Sequence, residues 1–294
     1  MYYFLSLIAG LLISVMVLAN GALTDVYGAY SATVIIHFVG LIAITIAAFI
    51  KKDKTIFLRQ KWFLYIGGFL GVMTVVFNNM AFGRISISAI LALGLFGQSV
   101  TGLLIDQFGL WGMERFPFVK KKIIGLMIIL IGIASMIDNF QLLAVVLSFS
   151  TGITIVISRT FNAKLALKTS VLASSFFNYA FGIIGAVIVL LILGVGERPY
   201  FGDFFSQNPE RWWIYMGGLL GLSVVLLSNV IVVKISAFYF TLFLFVGQMS
   251  MGIIIDMVLM GYVAKLNIIG SILVAIGLVV NLSVDRYERR NVAN

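Results

Sequence analysis

The chain has 294 residues, of which 62% are apolar and 11% charged, with a formal net charge of +9 and a mean hydropathy of +1.13. Soluble domains carry roughly 25% charged residues, so this composition excludes an ordinary water-facing ionic surface. Cysteine is absent and His37 is the single histidine, which excludes disulfide frameworks, thiol catalysis and thiolate or poly-histidine metal sites; no GxxxxGK(S/T) stretch is present for direct use of ATP.

The apolar residues fall into ten runs, each near the ~20 residues that cross a bilayer. The first, 4–22, carries Ser6, Gly10 and Ser14 on one small-residue stripe and reaches Asn20. It has the apolar core of a signal peptide but lacks a basic segment before it. The second, 30–50, places His37 near its middle, and the basic cluster Lys51, Lys52, Lys54, Arg59 and Lys61 follows. The third, 62–82, contains Gly67 and Gly71 at GxxxG spacing, then Asn78 and Asn79, with Arg84 beyond its end. The fourth, 86–106, has Gln98 near its centre between Gly97 and Gly102, and closes on Asp106.

The fifth run, 122–138, follows Arg115, Lys120 and Lys121 and starts at Lys122. The sixth, 141–158, presents Ser150, Thr154 and Ser158 on one face, with Asn162 just beyond, and the seventh, 171–193, carries Tyr179. The eighth, 212–233, contains Asn229 and is followed by Lys234. The ninth, 236–258, begins with Phe238, Tyr239, Phe240 and Phe243, holds Gln248 at its centre and ends on Asp256; the tenth is 265–284. Ten helices of about 20 residues use roughly 200 positions, which leaves no room for an appended soluble domain.

Lys and Arg are distributed unequally among the connections. Segments on the side of the N-terminus hold 16 of the 20, and the opposite side holds 4. The positive-inside rule therefore predicts both termini in the cytoplasm. The same distribution explains the net positive charge without nucleic acid, and the basic clusters also have the composition for contact with anionic lipid.

The two halves resemble one another. Residues 61–106 align without a gap on 211–256 at an offset of 150, with 15 of 46 pairs identical, among them Trp62/Trp212, Asn79/Asn229, Gln98/Gln248 and Asp106/Asp256. Before this block the offset is 142 (Gly10/Gly152, Asn20/Asn162, His37/Tyr179, Gly40/Gly182), and after it 145 (Gly125/Gly270, Gly132/Gly277). Lipid-like composition does not produce matched Asn, Gln, Asp and Trp positions. The expected organisation is one membrane domain built of repeats 1–139 and 140–294, and the match of the first helix to the internal sixth argues against cleavage after residue 22. Five helices per repeat is an odd number, so the second repeat is expected to enter the membrane inverted. The predicted class is an all-α integral membrane protein with ten transmembrane helices in two inverted five-helix repeats, an architecture frequent among secondary transporters.

The segments ANGALTDVYG…SATVIIHFVGL, GGFLGVMTVVFNN and GQSVTGLLIDQFGLWG resemble the YdcZ-like branch of the drug/metabolite transporter superfamily. The resemblance spans nearly the whole chain, as a fused pair of five-helix units, and implies fold and transport without a substrate. One departure from a neighbouring branch is informative. Small multidrug-resistance transporters carry a glutamate midway along the first helix, whereas here that stretch reads GLLISVMVL and its sixth-helix equivalent GITIVISRT. This argues against proton-coupled antiport of organic cations by their mechanism.

Polar side chains within hydrocarbon need partners or a water-lined cavity. Candidate cavity residues are therefore Ser14, Asn20, His37, Asn78, Asn79, Gln98, Thr154, Asn162, Tyr179, Asn229, Tyr239 and Gln248. Each also has a structural reading: an interhelical bond for the amides, a buried neutral ring for His37 and Tyr179, tight packing for the Ser/Thr stripes, and a salt bridge or helix cap for Asp106 and Asp256. The expected function is a secondary carrier, exporter or exchanger, of a small organic metabolite. A membrane lipid-modifying enzyme, a channel and a scaffold are the alternatives. Expected partners are substrate and bilayer, without nucleic acid, metal or cofactor, and a homodimer stands open beside a monomer.

Overall fold

The computed structural model describes residues 1–112, 115, 119–137, 141–197, 209–232, 234–235, 237–261 and 265–293. The described residues form ten α-helices and no strand: α1 (Tyr2–Tyr27), α2 (Ala29–Ile50), α3 (Ile66–Ala81), α4 (Ile87–Phe108), α5 (Lys122–Ser135), α6 (Leu142–Lys168), α7 (Val171–Leu193), α8 (Gly217–Val232), α9 (Ala237–Met260) and α10 (Lys265–Ala293). Among the described residues nine helical segments are long and apolar enough to cross a membrane, α3 and α8 together with the 3-10 turns before them (Trp62–Ala81 and Glu210–Ser228). The exception is α5, whose 14 residues span about 21 Å at the α-helical rise, against a hydrocarbon core of about 30 Å. Its last turn tightens, with Met136 N donating to Ile133 O at 2.9 Å.

Several helices outrun their apolar runs. α1 continues to Tyr27, its Thr24 hydroxyl donating back to Asn20 O at 2.9 Å, and stops at Gly28 with φ +83°, a conformation that costs glycine least. α6 continues ten residues past Ser158, because Ala163, Leu165, Ala166, Leu167 and the lysines are strong helix formers although no longer apolar as a group. At matched places, the 3-10 segments Trp62–Tyr65 and Pro209–Met216 lead into α3 and α8.

Helix starts are held by side chains that satisfy otherwise unpartnered N–H groups. Ser86 Oγ accepts from Ala89 N at the start of α4, and Ser170 Oγ accepts from Ala173 N at the start of α7. Ser170 in turn donates to the Asp53 carboxylate, which also accepts from Thr55 N and Oγ1. Burial raises the Asp53 carboxyl, but the three hydrogen bonds outweigh it and hold its pKa below the ordinary carboxylate value.

Two compact units are present, and neither coincides with a sequence half: one comprises Met1–Ser14, Ala81–Ile153 and Val230–Asn294, the other Val15–Met80 and Thr154–Asn229. In the first, α5 packs along α10 and α4 along α9. In the second, α2 packs along α7 over a core that includes Ile44, Tyr179 and Leu222.

Within each unit the close contacts occur in exchanged pairs. A Cβ on Gly10 of α1 would collide with Leu244 O of α9 and stand 2.8 Å from Gln248 N; on Gly152 of α6 it would collide with Gly94 O of α4 and stand 2.5 Å from Gln98 N. Gly247 lies against Leu7 O and Gly97 against Phe149 O. In the other unit, Gly217 meets the Asn20 side chain and Gly67 the Asn162 side chain, while Gly40 meets the Tyr179 ring and Gly182 the His37 ring. Adding the sequence offsets to one contact of each pair gives the other.

Candidate functional site

The unit containing α2, α3, α7 and α8 holds a chain of polar groups through apolar helices, joined by hydrogen bonds except at one ring contact. Thr33 Oγ1 on α2 donates to Ala29 O at 2.7 Å and accepts from Asn79 Nδ2 of α3 at 3.3 Å; Asn79 Nδ2 also lies 3.4 Å from Ala29 O. One turn later, His37 Nδ1 meets Thr33 O at 2.8 Å. A carbonyl only accepts, so Nδ1 carries the hydrogen. The His37 ring stands edge-on to Tyr179 of α7, with centroids 6.0 Å apart, and Tyr179 OH donates to Gly218 O of α8 at 3.2 Å. His37 is 2% and Tyr179 8% exposed, so both rings fill the notches left by each other's glycines. Asn79 Oδ1 is buried without a hydrogen-bond partner among the described residues. Its neighbour Asn78 is half-buried.

A second polar group surrounds α6. Asn162 Nδ2 donates to Asn178 Oδ1 of α7 at 2.8 Å and lies 3.3 Å from Ser158 Oγ. Ser174 Oγ donates to Asn162 O at 2.7 Å, Ser158 Oγ donates to Gly67 O at 2.8 Å, and Thr154 shares a 2.8 Å hydroxyl contact with Thr74 of α3. The repeat mate of Asn162 behaves differently: Asn20 packs on Gly217 with its Oδ1 unpartnered among the described residues. The two asparagines share a packing role, and only Asn162 belongs to a hydrogen-bonded group.

Ser14, Gln98, Tyr239 and Gln248 lie in the unit containing α4, α5, α9 and α10. Ser14 Oγ donates to Gln248 O at 2.8 Å, and Ser6 and Ser14 are fully buried, so the α1 stripe is a packing face against α9. Gln248 is buried and Gln98 half-buried with its interactions engaged. Gly97 makes the close approach expected beside Gln98, whereas Gly102 has open space around its Cβ position. Tyr239 meets Tyr3 at 5.4 Å, and Arg286 of α10 lies over its ring at 5.7 Å, which places it among residues from the ends of α1 and α10. Asn229 lies within α8, but its side chain and that of Phe238 fall outside the described residues.

Two carboxylates act at helix N-termini. Asp256 accepts from Ile87 N (2.7 Å), Ser88 N (2.9 Å) and Ser88 Oγ (2.6 Å) at the start of α4, the capping alternative for this residue. Glu197 accepts from Tyr30 N and Ser31 N at 2.8 and 2.9 Å at the start of α2. Thr33, Thr74, Asn178 and Glu197 were not legible as partners, since no spacing rule links residues on different helices; a polar residue opposite a candidate on a facing helix is the signal to seek. No group of three or more His, Cys, Asp or Glu suited to a metal occurs among the described residues. Apart from the terminal carboxylates and Lys122, which pairs with Asp285, the buried polar chemistry among the described residues consists of neutral amides, hydroxyls, one imidazole and one phenol.

The chain is similar to a solved structure titled "Crystal structure of protein", with 14% identity, coverage of 97% of this chain and 96% of that one, and a TM-score of 0.58; this likeness concerns fold alone. No curated protein matches it. The family model described as "Putative inner membrane exporter, YdcZ" matches twice, over residues 1–135 and 143–280. The chain belongs to the YdcZ-like inner membrane exporter family.

Proposed function

We propose that the chain is a secondary carrier that exports or exchanges a small organic metabolite by alternating access between two inverted five-helix repeats. The observation that carries this reading is the set of exchanged contacts, Gly10 with Gln248 N against Gly152 with Gln98 N above all. Equal contacts made by equivalent residues of both halves are what a pseudo-twofold axis produces, and five helices per half turn that axis into the membrane plane. Exchanging the conformations of the halves then turns one access state into the other. The neutral polar groups suit a substrate recognised by hydrogen bonds. Of the candidates, Asn78 and Asn162, in the unit of α2, α3, α7 and α8, are those we assign to contact it, with His37 and Tyr179 as the packed wall behind Asn79.

The test is counterflow in liposomes. Purified protein loaded with one member of a metabolite pool should take up labelled external substrate in a saturable manner. Asn78→Ala and Asn162→Ala should raise the half-saturating concentration while leaving elution as a folded protein unchanged. Absence of saturable counterflow across the pool, under imposed proton or sodium gradients as well, would overturn the carrier reading.

A further inference from the structure

The segment before α3 and the facing side of α7 line an open-sided cavity of about 550 Å³, with Arg59, Lys61, Trp62, Tyr65, Phe69 and Phe181 among its lining residues. Its apolar wall is ordered: Tyr65 stacks on Phe181 with centroids 4.8 Å apart and 14° between planes, and Phe69 meets Phe181 at 6.0 Å. Tyr65 also accepts Gln60 N on its hydroxyl at 3.0 Å, which ties the rim to the wall. Trp62, 77% exposed, opens the membrane span Trp62–Ala81, so Arg59 and Lys61 stand at the polar edge of that span. Neither cation has an ion-pair partner among the described residues. The nearby Asp53 carboxylate already accepts from Ser170 and Thr55.

We infer that this cavity is a site for one anionic phospholipid, whose phosphate lies against Arg59 and Lys61 and whose acyl chain runs along Tyr65, Phe69 and Phe181. Charge complementarity selects the occupant: two unpaired cations above an aromatic trough match an amphiphile with a negative head, and basic residues at a membrane surface attract anionic lipid. The repeat mate provides an internal comparison. At the offsets of the duplication, Arg59, Gln60 and Lys61 become Pro209, Glu210 and Arg211, while Phe69 and Phe181 become Leu219 and Val39. There an acid stands beside the single cation, and Arg211 acts on the Asp25 carboxylate. The trough and its free charges therefore belong to one repeat only, which separates a built site from general interfacial attraction.

The four tryptophans allow a direct test on the full chain. W111F/W212F/W213F retains Trp62, and vesicles of brominated phosphatidylglycerol should quench it more than brominated phosphatidylcholine at equal lipid fraction. R59Q/K61Q in that background should remove the preference, by about fivefold per cation lost. The companion W62F/W111F/W213F, which retains Trp212, should show no preference. Equal quenching of Trp62 by both lipids, a preference that survives R59Q/K61Q, or the same preference at Trp212 would each overturn the site. Relief of phosphatidylglycerol quenching by inorganic phosphate at equal concentration would assign the cations to a free anion and overturn the lipid. Melting of the chain with its tryptophans intact, in micelles containing either lipid and against R59Q/K61Q, reads the same preference should the tryptophan variants fail to fold.

Discussion

Thr33 is the residue on which the buried polar chain turns, because its hydroxyl receives Asn79 and its carbonyl receives His37. Thr33→Val keeps the shape and the carbonyl but leaves the Asn79 amide without its side-chain partner. Interhelical hydrogen bonds in membranes contribute about 0.6–2 kcal/mol, and Thr33→Val is expected to lower the melting temperature in detergent accordingly. An unchanged melting temperature would show that Asn79 is held by other contacts. Outside the membrane, Asp53 supplies a pH dependence. Its pKa in the folded protein lies below the ordinary 3.8, so its stabilising contribution is complete above that value and is lost as the pH falls through the lower folded pKa. As the pH falls from above 3.8 through the lower folded pKa the chain should therefore lose stability that Asp53→Asn has already lost, and the two melting curves should converge at the acid end.

At the level of helices, stability depends on backbones brought together at glycine. Gly10→Ala and Gly152→Ala meet equivalent carbonyls and should destabilise to similar degrees, each by about 1–3 kcal/mol from overpacking. Gly102→Ala, which meets nothing within 4 Å, should leave melting unchanged. A large loss for Gly102→Ala, or none for Gly152→Ala, would contradict these contacts. The helices themselves were legible because apolar runs of spanning length have few other uses. The exchanged pairs were legible only as offsets: His37/Tyr179 and Gly40/Gly182 are matched in sequence, but that each ring fills the other's glycine notch emerges from the packing of α2 along α7. Less could be read where the signal changes type. α6 passes from an apolar run into a polar helix, so its last ten residues escape a hydropathy reading. Glu197 lies in a connection, where nothing in its neighbours points to the start of α2. Gln98 and Gln248 stood out as polar groups among apolar ones, yet the residues that hold them, Gly152 and Ser14, are small and common.

For the whole molecule, inversion is the feature that separates a carrier built on exchange of conformations from a simple duplication, and the absence of cysteine makes it measurable. Lys54 lies in the connection before α3, and Val195, 88% exposed, in the corresponding connection before α8. Under inversion with the basic side inward, these equivalent places face opposite compartments. Lys54→Cys should react with a membrane-impermeant maleimide only after cells are permeabilised, whereas Val195→Cys should react in intact cells. Arg84→Cys, across α3 from Lys54, should behave like Val195→Cys. Labelling of Lys54→Cys and Val195→Cys from the same side would mean that the repeats run parallel. The glycine contacts would then stand as packing without the symmetry that lets one half take up the conformation of the other, and the proposed transport cycle would lose its physical basis.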